Sequence, residues 1–353
     1  MSDYKLLING RLAEGDSTMS VINPATEAPV ASCARASKGQ LDEAVAAAKA
    51  AFPTWSRTTM DERRAVLVAI ADAIQANVGD LARLLTQEQG KPLADATGEV
   101  FGASAFFRYF ASLDLPAKVV TDDATSRIEV RRKPLGVVGC IVPWNFPIIL
   151  MAFKVPAALL AGNTVIVKPA PTTPLTTLKI GELIKDLVPP GVVNILADGG
   201  ELGGEMTKHP DIRKISFTGS TETGKRVMAG AADALKRVTL ELGGNDAAIV
   251  LGDVDPVATA PKIFAAAFQN SGQVCIAAKR VYVHESIYDA MCDELAKLAD
   301  AAVMGDGLEQ GTELGPLQNK AQFDKVLGFI EAGRKDGKVI AGGARQGDKG
   351  YFV

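Results

Sequence analysis

The sequence lacks the patterns that mark metal sites and disulfide frameworks. It has two histidines in 353 residues and four cysteines, and no two cysteines have the CxxC spacing. These residues are His209, His284, Cys33, Cys140, Cys275 and Cys292. Structural zinc sites need clustered Cys and His, and small disulfide scaffolds need paired cysteines. We therefore expect no metal, free thiols and a reducing, cytoplasmic compartment.

An excess of charge of either sign is also absent. The chain has 38 Lys and Arg against 41 Asp and Glu, a net charge of −3. This balance does not indicate binding to nucleic acid or to an anionic membrane surface. The first ten residues contain no apolar h-region, so no targeting peptide is expected. The uncharged stretch 134–153 contains three prolines, which argue against a spanning helix.

What the sequence does contain is the composition of a globular protein: 47% hydrophobic and 22% charged residues. Its length predicts two domains. Two capping boxes near the N-terminus, Ser37 with Gln40 and Thr59 with Glu62, each predict the start of a helix. Pro53 is predicted to end the first helix and Gly79 the second.

From residue 137 onward, short Val- and Ile-rich runs alternate with helical patterns. The predicted strands are Val137–Val142, Thr164–Val167, Val192–Leu196, Lys214–Phe217 and Arg237–Leu240. The predicted helices between them are Ile148–Ala161, Leu175–Leu187, Glu201–Thr207 and Glu222–Ala231. Buried strands joined by helices predict a parallel, doubly wound α/β sheet of the nucleotide-binding type.

Two further regions complete this expectation. Residues 126–133 alternate polar and apolar side chains, which predicts an exposed strand. A second α/β region begins near Asn245. Its predicted strands are Ala247–Leu251, Lys279–Val283 and Lys338–Ile340, and its predicted helices are Val257–Gln269, Ile287–Ala301 and Lys320–Ala332.

Glycine and polar residues follow the predicted strands, where an open α/β sheet binds its ligands. The segment Gly219–Gly224 nearly matches the P-loop motif, but Arg226 occupies the position of the Mg²⁺-binding hydroxyl residue. The dinucleotide-binding pattern GxGxxG does not occur in the chain. The loop is either a phosphate-binding loop or a structural turn. An ATPase with such a loop is an alternative that Arg226 disfavours.

Cys275 is the candidate nucleophile because it lies in a polar, glycine-containing loop between a helix and a strand. The other three cysteines lie in apolar or amphipathic surroundings, where cysteine is usually a small buried residue. No histidine is near Cys275 in sequence, so a carboxylate such as Glu241 would have to act as the base. The alternative is that Glu241 is a paired loop acid.

Four motifs occur in order: PWNFP at 143–147, FTGSTETG at 217–224, LELGG at 240–244 and FQNSGQVC at 268–275. With this spacing the whole chain resembles the NAD(P)-dependent aldehyde dehydrogenase superfamily. The resemblance implies an α/β fold with a doubly wound cofactor domain and a second, catalytic α/β domain. It implies a cofactor domain over 1–123 and 136–243, an oligomerisation arm over 124–135 and a catalytic domain over 244–353.

The resemblance implies oxidation of an aldehyde to the carboxylic acid. The Cys275 thiolate would form a thiohemiacetal, and hydride transfer to the nicotinamide would leave a thioester. Asn145 and the Cys275 N–H would stabilise the oxyanion. Glu241 would activate the hydrolytic water, and Lys154 would assist a proton relay.

The cofactor positions also follow from the resemblance. Those implied to bind the cofactor are Trp144, Lys168, Gly219, Ser220, Gly224 and Leu242. Many NAD-preferring relatives carry Glu three residues after the lysine, where this chain has Pro171. Because Pro171 neither bonds ribose hydroxyls nor repels a 2′-phosphate, NAD is expected and NADP stays open.

Substrate and assembly are implied in the same way. The positions that would line the substrate tunnel are all apolar: Phe146, Leu150, Phe153, Val274 and Ile276. They favour an aliphatic or aromatic aldehyde over a carboxylate-bearing semialdehyde. The arm strand implies a homodimer or homotetramer.

Members of this superfamily continue past the position of Val353 and carry a Glu-x-Phe-Gly-Pro motif that is not found in this sequence. The resemblance therefore implies a C-terminally truncated chain with an incomplete catalytic domain. The alternative function is an inactive or partly active cofactor-binding fragment of such an enzyme.

Overall fold

The computed structural model describes residues 3–353, which form two compact units. The first unit contains residues 3–20, 32–81 and 98–241, and the second contains 21–31, 82–97 and 242–353. Two N-terminal segments, 21–31 and 82–97, thus belong to the same unit as the C-terminal third of the chain. The sequence-based domain boundaries, which keep all of 1–123 with the cofactor domain, stay a prediction beside this division.

The secondary structure is that of a mixed α/β protein. In chain order the strands are β1 Leu6–Ile8, β2 Arg11–Ala13, β3 Ser17–Ile22, β4 Pro29–Arg35, β5 Lys118–Asp122, β6 Arg127–Val130, β7 Val137–Ile141, β8 Thr164–Lys168, β9 Val193–Ile195, β10 Ile212–Thr218, β11 Arg237–Glu241, β12 Asp246–Val250 and β13 Ala278–Val283. The helices are α1 Lys38–Trp55, α2 Met60–Ala76, α3 Val78–Gln89, α4 Leu93–Ala111, α5 Pro147–Ala152, α6 Val155–Leu160, α7 Leu175–Ile184, α8 Leu202–Lys208, α9 Thr221–Ala232, α10 Pro256–Phe268, α11 Tyr288–Ala301 and α12 Lys320–Asp336.

The first unit is built on a seven-stranded sheet with the order β11-β10-β7-β8-β9-β1-β2. Strands β7 to β11 pair in parallel, and β1 is antiparallel to both β9 and β2. Every residue of β7, β8 and β9 is buried, which explains their near-continuous apolar sequences. The five predicted strands of the doubly wound sheet are confirmed to within two residues at each end.

Both predicted capping boxes are present at the starts of α1 and α2. The predicted ends of these helices are wrong. Helix α1 continues through Pro53 to Trp55, because a proline in the last turn removes only one helical hydrogen bond. Helix α2 ends at Ala76, and Gly79 lies inside α3, which starts only two residues later.

The single helix predicted over Ile148–Ala161 is wrong in one respect, since the structure has two helices there. Helix α5 ends at Ala152 and α6 begins at Val155. Pro156, in the first turn of α6, has no N–H to donate to the Ala152 carbonyl, so one continuous helix is disfavoured. Lys154 lies at the break.

The second unit has a smaller sheet, the parallel pair β12-β13. A cluster of Val250, Ala260, Ile263 and Met291 packs it against α10 and α11. The strand predicted at Lys338–Ile340 is wrong. Within residues 3–353 the sheet has only these two strands, so this segment has no ladder partner.

Residues 126–133 contain strand β6, which pairs antiparallel with β5, a strand that the sequence reading missed. Over the described chain, no single helix is long and apolar enough to cross a membrane. By length and composition alone the bent pair α2 and α3 could do so.

Candidate active site

Four parallel strands of the first unit bring predicted site residues to one edge of the sheet. At the carboxyl ends, Ile141 of β7 is paired with Lys168 of β8 and with Phe217 of β10. One residue further along β10, Thr218 is paired with Glu241 of β11. Asn145, Lys168, Gly219 and Glu241 therefore follow or end neighbouring strands, as the strand-end argument predicts.

The segment after β7 turns sharply into α5. Trp144, Asn145 and Phe146 are half-buried, and Phe146 is the residue before the helix. Pro147 occupies the first helical position, where its missing N–H costs no hydrogen bond and its fixed φ favours the helix. The PWNFP sequence thus builds a short turn that holds the Asn145 amide next to a helix start.

Lys154 is buried between α5 and α6. Its Nζ donates to the Thr218 hydroxyl at 2.6 Å. Burial lowers the pKa of Lys154, and the negative charge of Glu241 opposes this shift. The structure thus joins Lys154 to the residue that precedes the glycine loop and is paired in register with Glu241. Thr218 is not among the predicted site residues, although it directly precedes the Gly219–Gly224 loop.

Glu241 is the last residue of β11, and its side chain is exposed. Its backbone carbonyl accepts from the Gly219 N–H at 3.0 Å, which ties the strand end to the glycine loop.

Lys168 lies in a buried ion pair with Asp198, which is not among the predicted site residues. Its Nζ is 2.6 Å from Asp198 Oδ1, and both side chains are nearly inaccessible. The other carboxylate oxygen of Asp198 accepts from Gly200 and Leu202 N–H groups at the start of α8. Asp198 follows the third strand of the parallel sheet, so the same strand-end argument could have found it.

The glycine loop leads into the N-terminus of α9. The Ser220 hydroxyl accepts from the Thr223 N–H at 3.2 Å, and Gly224 is buried in the first turn. The first two helical amides, of Thr221 and Glu222, have no acceptor within the helix, and the helix dipole adds positive potential. A Cβ at Gly219 would lie 2.6 Å from the Phe217 ring. These features fit a cofactor pyrophosphate.

In the second unit, Cys275 follows an unusual loop. Asn270, Ser271 and Gly272 have φ values of 50°, 55° and 76°, all left-handed. The Ser271 hydroxyl donates to Gly315 O at 2.7 Å, and Gln273 Oε1 accepts from Gln318 N–H at 2.9 Å. The loop is therefore held in an unfavourable conformation by the segment 315–318.

Cys275 itself is half-buried and has a free thiol. Its carbonyl accepts from Lys279 Nζ at 3.2 Å. A Cβ at Gly244 would lie 2.8 Å from that carbonyl, so the second glycine of LELGG is required for close approach. Leu242, also in this unit, is half-buried.

The predicted substrate positions are apolar side chains with partial or full exposure. In the first unit Phe146 and Leu150 are half-buried, and Phe153 contacts Phe106 with ring centroids 4.4 Å apart. In the second unit Val274 is half-buried and Ile276 is 74% exposed. Residues 3–353 contain no group of three or more His, Cys, Asp or Glu that could hold a metal ion.

Comparison with known proteins gives a consistent result. Residues 12–353 match the model of the aldehyde dehydrogenase family. A probable aldehyde dehydrogenase of a Pseudomonas species is 44% identical over 353 residues, covering 100% of this chain and 72% of the relative. A Bacillus cereus aldehyde dehydrogenase solved in complex with NAD⁺ is 39% identical with a TM-score of 0.96, over 99% of this chain and 73% of that one.

A structure described as an NADP-dependent enzyme of E. coli is similar as well. It is 36% identical with a TM-score of 0.96, over 99% of this chain and 75% of that one. Its similarity, the family model and the ordered motifs agree with the α/β fold described above. The chain belongs to the aldehyde dehydrogenase family.

Proposed function

We propose that this chain oxidises an aldehyde to the carboxylic acid with NAD(P)⁺, through a thiohemiacetal and a thioester on Cys275. The observation that carries the proposal is the common edge at which four parallel strands end. This edge carries an amide, a buried lysine, a glycine loop and a carboxylate at Asn145, Lys154, Gly219 and Glu241. Family membership supplies the reaction class.

The Cys275 thiolate would attack the carbonyl carbon of the aldehyde, and the carbonyl oxygen would become an oxyanion. Donors that can stabilise it are the Cys275 N–H and the Asn145 side-chain amide, and one such donor is worth about 10²–10³ in rate. The strained conformation at 270–272 supports a role for Cys275, because strained backbone is often found at reactive positions.

The nicotinamide, when bound, supplies the acceptor for the hydride. Glu241 would then remove a proton from the water that attacks the thioester carbonyl, releasing the acid and the Cys275 thiol. Its exposed carboxylate can reach solvent water. Lys154, whose pKa is lowered by burial, releases a proton more readily than an exposed lysine, which supports a relay role.

For the cofactor, the residues that would hold it are Trp144, Lys168, the Gly219–Gly224 loop with Ser220, and Leu242. The amides at the start of α9 would bind the pyrophosphate. We propose NAD as the preferred cofactor. The NAD⁺ complex of the Bacillus cereus relative supports this preference, while the NADP-dependent E. coli relative keeps NADP open.

The substrate is proposed to be an aliphatic or aromatic aldehyde because the five tunnel positions are apolar. Assembly as a homodimer or homotetramer, with the exposed β5–β6 hairpin as the arm, and a cytoplasmic location stay predictions. The exposed apolar side chains of Val119, Val120, Ile128 and Val130 support an assembly role for the hairpin.

The proposal is tested by following NADH or NADPH formation with a panel of apolar aldehydes. Cys275→Ala is expected to abolish turnover while leaving NAD⁺ binding, measured by calorimetry, unchanged within about threefold. Cys292→Ala, which removes a half-buried thiol from the same unit, is the matched control and should retain activity. Turnover that survives in Cys275→Ala would contradict the proposed nucleophile.

A further inference from the structure

Helix α4 contacts α5 through three residues on one of its faces, Glu99, Gly102 and Phe106. Their spacing, i, i+3 and i+7, places them along a single helical stripe. Within the first unit, Glu99 contacts the start of α5 and Gly102 faces its first turn. Phe106 contacts the residue that follows its last turn. This stripe has no part in the chemistry proposed above.

Glu99 is the polar residue of the stripe. Glu99 is 4% exposed, and its Oε1 accepts from the Ile148 N–H at 2.9 Å and the Ile149 N–H at 3.2 Å. Helix α5 has no side-chain cap of its own, since the residue before it is Phe146. A carboxylate 49 residues earlier in the chain therefore supplies the cap, where the helix dipole favours negative charge.

The other two residues bring the helices together. A Cβ at Gly102 would lie 3.0 Å from Ile149 Cδ1, so a larger side chain would crowd Ile149 in the first turn of α5. Further along, the Phe106 and Phe153 rings meet edge to face with centroids 4.4 Å apart. Helix α4 thus contacts α5 at its start, in its first turn and at its end.

The two ends of α5 carry two residues of the proposed reaction. Asn145 lies two residues before the first helical residue and Lys154 two residues after the last. We propose that Glu99 is a positioning residue: by capping α5 it fixes the 143–147 turn, and with it the Asn145 amide that stabilises the oxyanion. This inference rests on the proposed function and deepens it.

The first test needs neither substrate nor cofactor. The chain has two tryptophans, so Trp55→Phe leaves Trp144, inside the turn, as the only tryptophan, and its emission is excited selectively over that of the tyrosines. In this background Glu99→Ala is expected to shift Trp144 emission to the red and to increase quenching by acrylamide. Glu99→Gln, which keeps an acceptor oxygen for both amides, should restore the original values. Unchanged emission and quenching in Glu99→Ala would overturn the proposal.

The second test uses steady-state kinetics. Glu99→Ala is expected to lower kcat about 10–100-fold with little change in KM, because a misplaced oxyanion donor is lost mainly in the transition state. Glu99→Gln should stay within about threefold of the original kcat. Asp61→Ala removes an 88%-exposed carboxylate from the same unit and is the control that should not change either constant.

The link to Asn145 is tested by a double-mutant cycle. If Glu99 acts through Asn145, Glu99→Ala should lower kcat by less than about threefold in an Asn145→Ala background. An equal loss in both backgrounds would overturn the positioning role.

Two controls keep the outcomes separate. Should Glu99→Ala fail to fold, Glu99→Asp takes its place. It keeps the charge but is one methylene too short to reach both amides, so an intermediate shift in Trp144 emission and an intermediate kcat are expected. A wild-type chain with no aldehyde turnover would contradict the proposed function, and the fluorescence comparison would still decide whether Glu99 holds the turn.

Discussion

The two units bury their sheets to very different extents. In the first unit every residue of β7, β8 and β9 is buried. In the second unit, β12 has one buried residue and β13 has none; Ile249 of β12 is 75% exposed and Tyr282 of β13 is 55% exposed. We therefore expect side chains of the first sheet to contribute more to stability through burial than those of the second.

One ion pair from each unit shows the same contrast. The Lys168–Asp198 pair of the first unit is 5% and 0% exposed, whereas the Lys320–Asp324 pair of the second is 68% and 56% exposed. A buried pair is a strong constraint, because removing one partner leaves the other charge unpaired in a medium of low polarity. Lys168, one of the predicted cofactor positions, is therefore held by a buried partner.

The largest effect is expected from breaking the buried pair. Asp198→Ala leaves the Lys168 ammonium buried without its counter-charge and removes the cap of α8, so it should lower the free energy of unfolding by about 3–5 kcal/mol. Urea denaturation measures this change. Asp324→Ala, which breaks the exposed pair, is the control and should have no measurable effect. Equal losses in the two variants would contradict the contrast between the units.

Much of the first unit could be predicted from sequence because its signals are local. The Val- and Ile-rich runs specify buried strands, and the capping boxes at Ser37 and Thr59 specify helix starts. Candidate residues after β7, β8, β10 and β11 followed from the rule that ligands bind at the carboxyl ends of strands. Their positions at the sheet edge are confirmed, while their roles stay predictions.

The parts that could not be predicted depend on contacts between distant residues. Glu99 caps a helix 49 residues away, and Lys154 donates to Thr218 64 residues away. No local pattern encodes such partners. The strand prediction at Lys338–Ile340 is wrong for the same reason, because a strand needs a neighbouring strand that its own sequence does not specify. The predicted ends of α1 and α2 are wrong because a single proline or glycine does not fix a helix boundary.

A smaller effect sharpens the comparison between the sheets. Ile166 of β8 is fully buried, so Ile166→Ala should lower the free energy of unfolding by about 2–5 kcal/mol through lost burial and the cavity left behind. The same change at Ile249 of β12 should stay within about 0.5 kcal/mol. Both are read from denaturation midpoints. A large loss at Ile249 would mean that β12 is covered in solution.

The smallest effect concerns the pH dependence of stability at Lys154. Burial lowers the pKa of Lys154 below its usual 10.5, so between these two values the unfolded chain binds more protons than the folded one. The contribution of Lys154 to the free energy of unfolding is therefore fully present above pH 10.5 and is lost as the pH falls through the lowered pKa of the folded state. The slope is at most about 1.4 kcal/mol per pH unit.

Lys154→Met removes this contribution while keeping an unbranched side chain. The free energy of unfolding of the wild-type chain, relative to the variant, is expected to rise with pH across that window. Burial also lowers the pKa of the half-buried Lys214, whose own contribution is present in both chains. Lys225→Met, which removes an exposed lysine from the same unit, is the control for loss of charge. A difference that is flat or falls with pH would show that the folded state does not favour a neutral Lys154, and the relay role proposed for it would lose its physical basis.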